Sequence, residues 1–125
     1  QDAEQMFRRM VFNVIARNCD DHTKNFSFRL KNGGKWELAP AYDVCHAYRP
    51  GSDWVSHHAL SINGKRSNIT KKDLKSIGES IKFKKASVII DEINDTVNEW
   101  QKFAEETGVI PSLRDEIAKT LLNLK

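Results

Sequence analysis

Between residues 20 and 43 the chain carries the side chains that phosphoryl transfer from a nucleotide uses. Asp20 is followed after four residues by Asn25, and Asp43 comes 18 residues later. An aspartate beside an attacking hydroxyl can accept its proton. An amide oxygen and a second carboxylate can ligate Mg²⁺, which bridges the nucleotide phosphates. The cluster Asn18-Cys19-Asp20-Asp21-His22-Thr23-Lys24-Asn25 is therefore a candidate catalytic loop. It works only if the flanking elements bring Asp43 back to it.

Those elements can be read from periodicity. Met6, Phe7, Met10, Val11, Val14 and Ile15 recur at i, i+1, i+4 and i+5, which predicts a helix from Asp2 to about Arg17 with Asp2 and Gln5 placed as a capping box. Asn18-Cys19-Asp20-Asp21 ends it, because short polar side chains compete for backbone hydrogen bonds. Residues 26–30 alternate apolar and polar, residues 31–35 hold Asn32-Gly33-Gly34, and residues 36–38 alternate again, the pattern of a β-hairpin. Pro40 cannot donate to a ladder, so the second strand ends or bends there. Folding back on itself, the hairpin returns Asp43 to Asn25. Residues 46–56 are turn-rich, and residues 58–62 read as a short strand entering an Asn63-Gly64 turn.

The rest predicts helices. Thr70 with Asp73 caps one whose apolar face is Leu74, Ile77 and Ile81, with Gly78 as a weak spot. One long helix is expected from about 85 to 107, with Ala86, Ile89, Ile90, Ile93, Val97, Trp100 and Ala104 on one face and Gly108 as its stop. The last opens at Pro111-Ser112, with Asp115 in its first turn, and buries Leu113, Ile117, Leu121 and Leu124. The expected fold class is α+β, predominantly α-helical. One domain is expected over 1–125: helix, catalytic loop and hairpin in 1–45, an irregular region with a short strand in 46–69, and a helical remainder in 70–125.

Composition sets the class. In 125 residues, 39% hydrophobic and 30% charged content is that of a globular chain, and no run approaches the roughly 20 apolar residues of a membrane helix. Cys19 and Cys45 form no pairing pattern and no signal peptide precedes the first helix, so a reducing, cytoplasmic setting is expected. The start at Gln1, without an initiator Met, reads as the edge of a longer protein. The net charge of +3 is uneven: residues 63–85 carry eight basic and two acidic side chains, residues 86–125 four basic and eight acidic. Charge runs are usually solvated faces, although a basic one can attract phosphates or an acidic partner.

Three segments, "NCDDHTKNFSF", "LAPAYDV" and "ALSINGK", resemble in this order the C-terminal part of HipA-like serine/threonine kinases, the toxins of bacterial HipA/HipB toxin–antitoxin systems. The resemblance covers essentially the whole chain. Asp-x-x-x-x-Asn spacing is shared with protein kinases generally; the His-x-Lys-Asn-Phe-Ser ending and the Leu-x-Pro-x-Tyr-Asp segment make the likeness specific. It implies a protein-kinase-like C-lobe that passes the ATP γ-phosphate to a serine or threonine hydroxyl of a protein. Asp20 would be the catalytic base, and Asn25 and Asp43 the magnesium ligands. His22, Thr23, Lys24 and Tyr42 would line the nucleotide, with Lys24 a point charge on the γ-phosphate. It also implies a HipB-type helix-turn-helix antitoxin as partner, with DNA association through that antitoxin, and no membrane. Asn18-Cys19-Asp20 replaces the His-Arg-Asp of ordinary kinases, and Tyr42-Asp43-Val44 their Asp-Phe-Gly. The glycine-rich loop and strand lysine of the family's N-terminal subdomain do not occur in residues 1–125, so these residues alone are expected to bind ATP weakly and phosphorylate nothing.

Two other classes compete. A metal-dependent phosphoesterase or nuclease would use Asp20, Asp21, His22 and Asp43 around two metals about 4 Å apart; it has little use for Asn25. An interaction module would use the basic residues 65–85; it gives no reason for Asp20, Asn25 and Asp43 to stand as they do. Asp21 reads as a loop-shaping residue and Cys19 as an inert thiol rather than a nucleophile with His22. Cys45, His46, His57 and His58 match no zinc spacing. Trp36, Trp54 and Trp100 read as core or partner-contact residues.

Overall fold

The apolar stripe of the first helix builds the core. In the computed structural model, which describes residues 1–125, α1 spans Asp2–Ile15 and buries Phe7, Val11, Val14 and Ile15. After a single 3₁₀ turn at Thr23–Asn25, strands β1 (Phe28–Lys31) and β2 (Lys35–Leu38) form an antiparallel hairpin. Four helices follow: α2 (Lys71–Ser80), α3 (Ala86–Asn98), α4 (Trp100–Glu106) and α5 (Pro111–Ala118). The class is α+β, five helices and one two-stranded sheet. No helix is long and apolar enough to cross a membrane.

α1 lies against α3 and α2, and its stripe meets Leu74, Ala86, Ile89, Ile90 and Val97 in one cluster joined by Ile62 and Ile69 from the irregular region. Phe7 and Phe83 meet edge to face at 5.4 Å, the arrangement ring quadrupoles favour. The expected box at the start of α2 forms: Thr70 Oγ1 accepts from Asp73 N–H while the Asp73 carboxylate accepts from Thr70 N–H. Thr70, Asn63 and Lys65 together hold the Asp73 carboxyl well below the usual carboxylate range.

Several expectations are corrected. Asp2 does not cap α1; it lies inside the first turn, and its carboxylate instead accepts the Leu38 N–H at 3.3 Å, tying hairpin to helix. The expected helix over 85–107 is two helices. The Asn98 side-chain amide donates to the Asn94 carbonyl at 2.7 Å, competing with the backbone for the i−4 acceptor, and Glu99 N–H turns tightly to Thr96. Residues 58–62 form no strand, because His58 N–H donates to the Arg66 carbonyl and Ala59 N–H to the Asp21 carboxylate. Only the Ile62–Lys65 bridge remains, closed by the expected turn with φ of 51° at Asn63 and 75° at Gly64. Leu113 is exposed, and Leu121 and Leu124 lie past the end of α5, half-buried under α1. Trp36 and Trp54 are exposed, so neither is core.

Gly78 matters for space rather than for flexibility. A Cβ there would stand 2.3 Å from Ala86 Cβ and 3.4 Å from the Phe7 ring, at the closest approach of α2 to the start of α3. Gly→Ala inside a solvated helix stabilises by up to about 1 kcal/mol. At this position the sign reverses: Gly78→Ala is expected to destabilise the fold by about 1–3 kcal/mol through overpacking. A urea midpoint at or above that of the wild type would refute this.

Candidate active site

The candidate loop begins where α1 is forced to stop. Arg17 takes φ of 58°, so Asn18 N–H reaches back to the Asn13 carbonyl at 2.9 Å and Arg17 N–H to Val14 at 3.4 Å. This is a Schellman end, usually made by glycine. Here an arginine holds it: Nε donates to the Thr120 carbonyl at 2.9 Å, and the guanidinium lies 4.1 Å from the centre of the Tyr48 ring. The helix end, the residues after Asp43 and the C-terminal tail thus meet at one side chain.

From Asn18 the chain runs beside residue 47. Cys19 N–H donates to the Ala47 carbonyl at 2.9 Å and Ala47 N–H to the Arg17 carbonyl at 3.0 Å, a parallel bridge that sets the loop alongside the segment after Asp43. Cys19 and Asp21 point inward, 0% and 4% exposed, while the Asp20 side chain between them is half exposed. The 3₁₀ turn then carries Thr23 and Lys24 on the surface and delivers Asn25, whose side-chain N–H donates to the Asp20 carbonyl at 2.9 Å.

The hairpin carries out the return. Phe28 pairs with Leu38 and Leu30 with Trp36, and the connection closes with φ of 94° and 80° at Gly33 and Gly34, which a side chain would resist. Glu37 is bracketed by Lys31 and then Arg29, whose hydrogen bonds hold its carboxyl below the usual range. Beyond β2, Arg9 Nη2 donates to the Ala39 carbonyl at 2.6 Å and Tyr42 Oη to the Lys24 carbonyl at 2.8 Å. Asp43 follows in the left-handed region, φ 52°, which Asp visits more readily than most residues.

Asn25, Tyr42 and Asp43 line one cavity of about 320 Å³ under α1, with Arg9, Phe12, Asn13 and Asn18. Of the residues singled out in the sequence, Asp20, His22, Thr23 and Lys24 lie outside its wall. His22 Nε2 stands 3.8 Å from Asp20 Oδ1. Asp21 also lines the cavity, but its oxygens are taken by His58 Nδ1 at 2.9 Å and Ala59 N–H at 2.8 Å. The cavity also exposes two residues that sequence reasoning passed over. Asn13 orients the Asn18 amide at 3.0 Å, and its signal was present: it falls at i+7 and i+3 from Met6 and Met10, a polar residue on the apolar stripe. Arg9 had no comparable signal.

Two groups near the site titrate abnormally. Partial desolvation, then the Asp43 and Asp20 carboxylates, push the Cys45 thiol up; Cys19 is fully buried. Burial, then Arg17, pull His46 down, and its Nε2 lies 2.8 Å from Thr120 Oγ1.

Comparison with known proteins gives one family model that matches residues 1–101, described as the HipA-like C-terminal domain. No curated protein and no solved structure matches.

Arg17 gives a test of how the loop is held. Arg17→Ala removes the Thr120 and Tyr48 contacts and keeps the left-handed strain; Arg17→Gly removes the same contacts and the strain. Both should destabilise, Arg17→Ala by about 1 kcal/mol more than Arg17→Gly. Chemical denaturation measures the difference, and equal losses would show that the turn is not strained.

Proposed function

The chain belongs to the HipA-like C-terminal domain family, and from that membership and the locked arrangement of Asp20, Asn25 and Asp43 we propose that it is the catalytic C-terminal portion of a protein serine/threonine kinase with a kinase-like C-lobe. Its substrates on this reading are ATP with Mg²⁺ and a serine or threonine hydroxyl of a protein. Its partner is a HipB-type antitoxin, through which it reaches DNA, in the cytoplasm.

The observation that carries the reading is the direction of the Asn25 amide. Its nitrogen donates to the Asp20 carbonyl, which leaves Oδ1 as a free acceptor, and Asn25 and Asp43 line the same cavity. One amide oxygen and one carboxylate are hard ligands of the kind that suits Mg²⁺, so Asn25 and Asp43 would hold the ion, which would supply countercharge to the phosphates. Asp20, turned to solvent beside these ligands, takes the proton from the attacking serine or threonine Oγ. Its backbone carbonyl accepts from Asn25, which ties the main chain at Asp20 to the ligand and leaves the Asp20 side chain to be oriented separately. Tyr42 does the same for Asp43 by bonding the Lys24 carbonyl across the loop. Thr23 and Lys24, exposed on the 3₁₀ turn, and His22, next to Asp20, face the phosphates in this reading.

The competing classes fit less well. A two-metal hydrolase needs Asp21, and that carboxylate is buried on His58. A basic interaction surface is reduced by internal pairing: Lys65 holds Asp73, Lys71 holds Asp91, and Arg66 Nε donates to the His58 carbonyl.

The assay joins residues 1–125 to the family's N-terminal subdomain, because the glycine-rich loop and strand lysine are not among them. There Asp20→Asn is expected to slow phosphoryl transfer roughly 10²- to 10⁴-fold, the usual worth of a positioned base. Asp43→Ala should abolish magnesium-dependent nucleotide binding by calorimetry. Retention of both activities would sink the proposal.

A further inference from the structure

Asp20 and Asp21 are adjacent and identical, yet one faces solvent and the other is 4% exposed. Successive side chains of an extended segment point to opposite sides, so fixing one of them fixes its neighbour. Asp21 is fixed at both oxygens: Oδ2 lies 2.9 Å from His58 Nδ1, and Oδ1 accepts the Ala59 N–H at 2.8 Å. His58, 2% exposed, is in turn held through its backbone, with N–H to the Arg66 carbonyl at 2.8 Å and its own carbonyl receiving Arg66 Nε at 2.7 Å. A buried carboxylate without a countercharge is strongly unfavourable, and an imidazolium at hydrogen-bond distance supplies one.

We infer that Asp21 and His58 are positioning residues, a buried carboxylate–imidazolium pair that clamps the catalytic loop to residues 58–59 and, by holding Asp21 inward, holds Asp20 outward. The inference rests on Asp20 being the base, as proposed above. Electrostatics agree with the geometry. Burial alone would push the His58 imidazole down, but Asp21, and then Cys19 beside it, outweigh burial and push it up to about 9. The groups facing the ring are Asp21 and Cys19 of the loop, with the Arg66 guanidinium directed at the His58 carbonyl. Because the folded value lies above the ordinary one, near 6.5, the pair's stabilisation is complete below about pH 6.5 and is lost as pH rises through about 9.

The test uses the protein with both subdomains. His58→Gln should lower kcat roughly 10²-fold, the size expected of a misplaced catalytic group, with the MgATP KM within about threefold of wild type. In an Asp20→Asn background the same change should lower the residual rate no further, since the base that the pair positions is already gone. An equal loss in both backgrounds would mean that the pair supports the fold alone, and would overturn the inference. Ring ¹⁵N shifts of the wild-type protein at about pH 7.5 decide the charge without any variant: both nitrogens of His58 protonated supports the pair, and a neutral ring overturns it. If the wild-type protein transfers no phosphate, the kinase reading fails by itself. The ring shifts, and the loss of stability between about pH 7 and 9 that His58→Gln should erase, then judge the pair.

Discussion

Arg17 sits at φ 58°, a conformation that costs a residue with a Cβ about 1–2 kcal/mol, and the two arms of the site both depend on it. Had α1 continued, Asn18 to Asp21 would have spiralled around its axis, with their carboxylates and amides about 100° apart, and no segment could have paired with them. The turn at Arg17 instead straightens the next residues, and that exposes the backbone of Cys19 to Ala47. The residues after Asp43 are thereby fixed beside those before Asp20. An arginine can hold this turn because its own side chain is satisfied by Thr120 and Tyr48. The last residues of the chain, outside the span that matches the family, therefore brace its candidate catalytic loop.

Loops rich in polar residues must find partners for their backbone groups, and here the partners are mostly side chains from a distance. Arg9 serves the Ala39 carbonyl, Tyr42 that of Lys24, and Asn25 that of Asp20. Each contact joins the segment before the hairpin to the segment after it, or closes the loop on itself. The result is a rigid frame around residues 20–25 and 39–43 without regular secondary structure. The 3₁₀ turn at the centre keeps Thr23 and Lys24 on the surface.

What could be read from the sequence was what repeats. The stripe from Met6 to Ile15, the alternation on either side of Gly33-Gly34 and the Thr70–Asp73 box each follow from spacing alone, and each forms. The break at Asn98 could not be seen, because Val97, Trp100 and Ala104 keep the apolar period running across it; only the side-chain competition at Asn94 ends the helix. Residues 58–62 had the composition of a strand, but the Ala59 N–H goes to Asp21, a partner far away in sequence, and only His58 and Ile62 bond across the turn. The same holds at the site. Asp20, Asn25 and Asp43 are marked by type and spacing, whereas Arg9 and His58 become meaningful only once folding has put a carbonyl or a carboxylate in front of them.

The paired aspartates show why residue type alone could not assign roles in this loop. A carboxylate facing water keeps its lone pairs free for a proton, and Asp20, half exposed, is the one of the two that meets this condition for the proposed base. A carboxylate facing inward must have every oxygen matched, and once matched it has nothing left for chemistry. The Ala47 bridge starts the extended segment and the His58 and Ala59 contacts of Asp21 hold its far end, so Cys19 and Asp21 go in and Asp20 goes out. Had the chain left α1 one residue later, Asp20 would have stood inward in the place of Cys19, and Asp21 outward in the place of Asp20. Which aspartate faces outward thus follows from the register of the turn at Arg17, braced by the tail, together with the contacts that hold Asp21 inward.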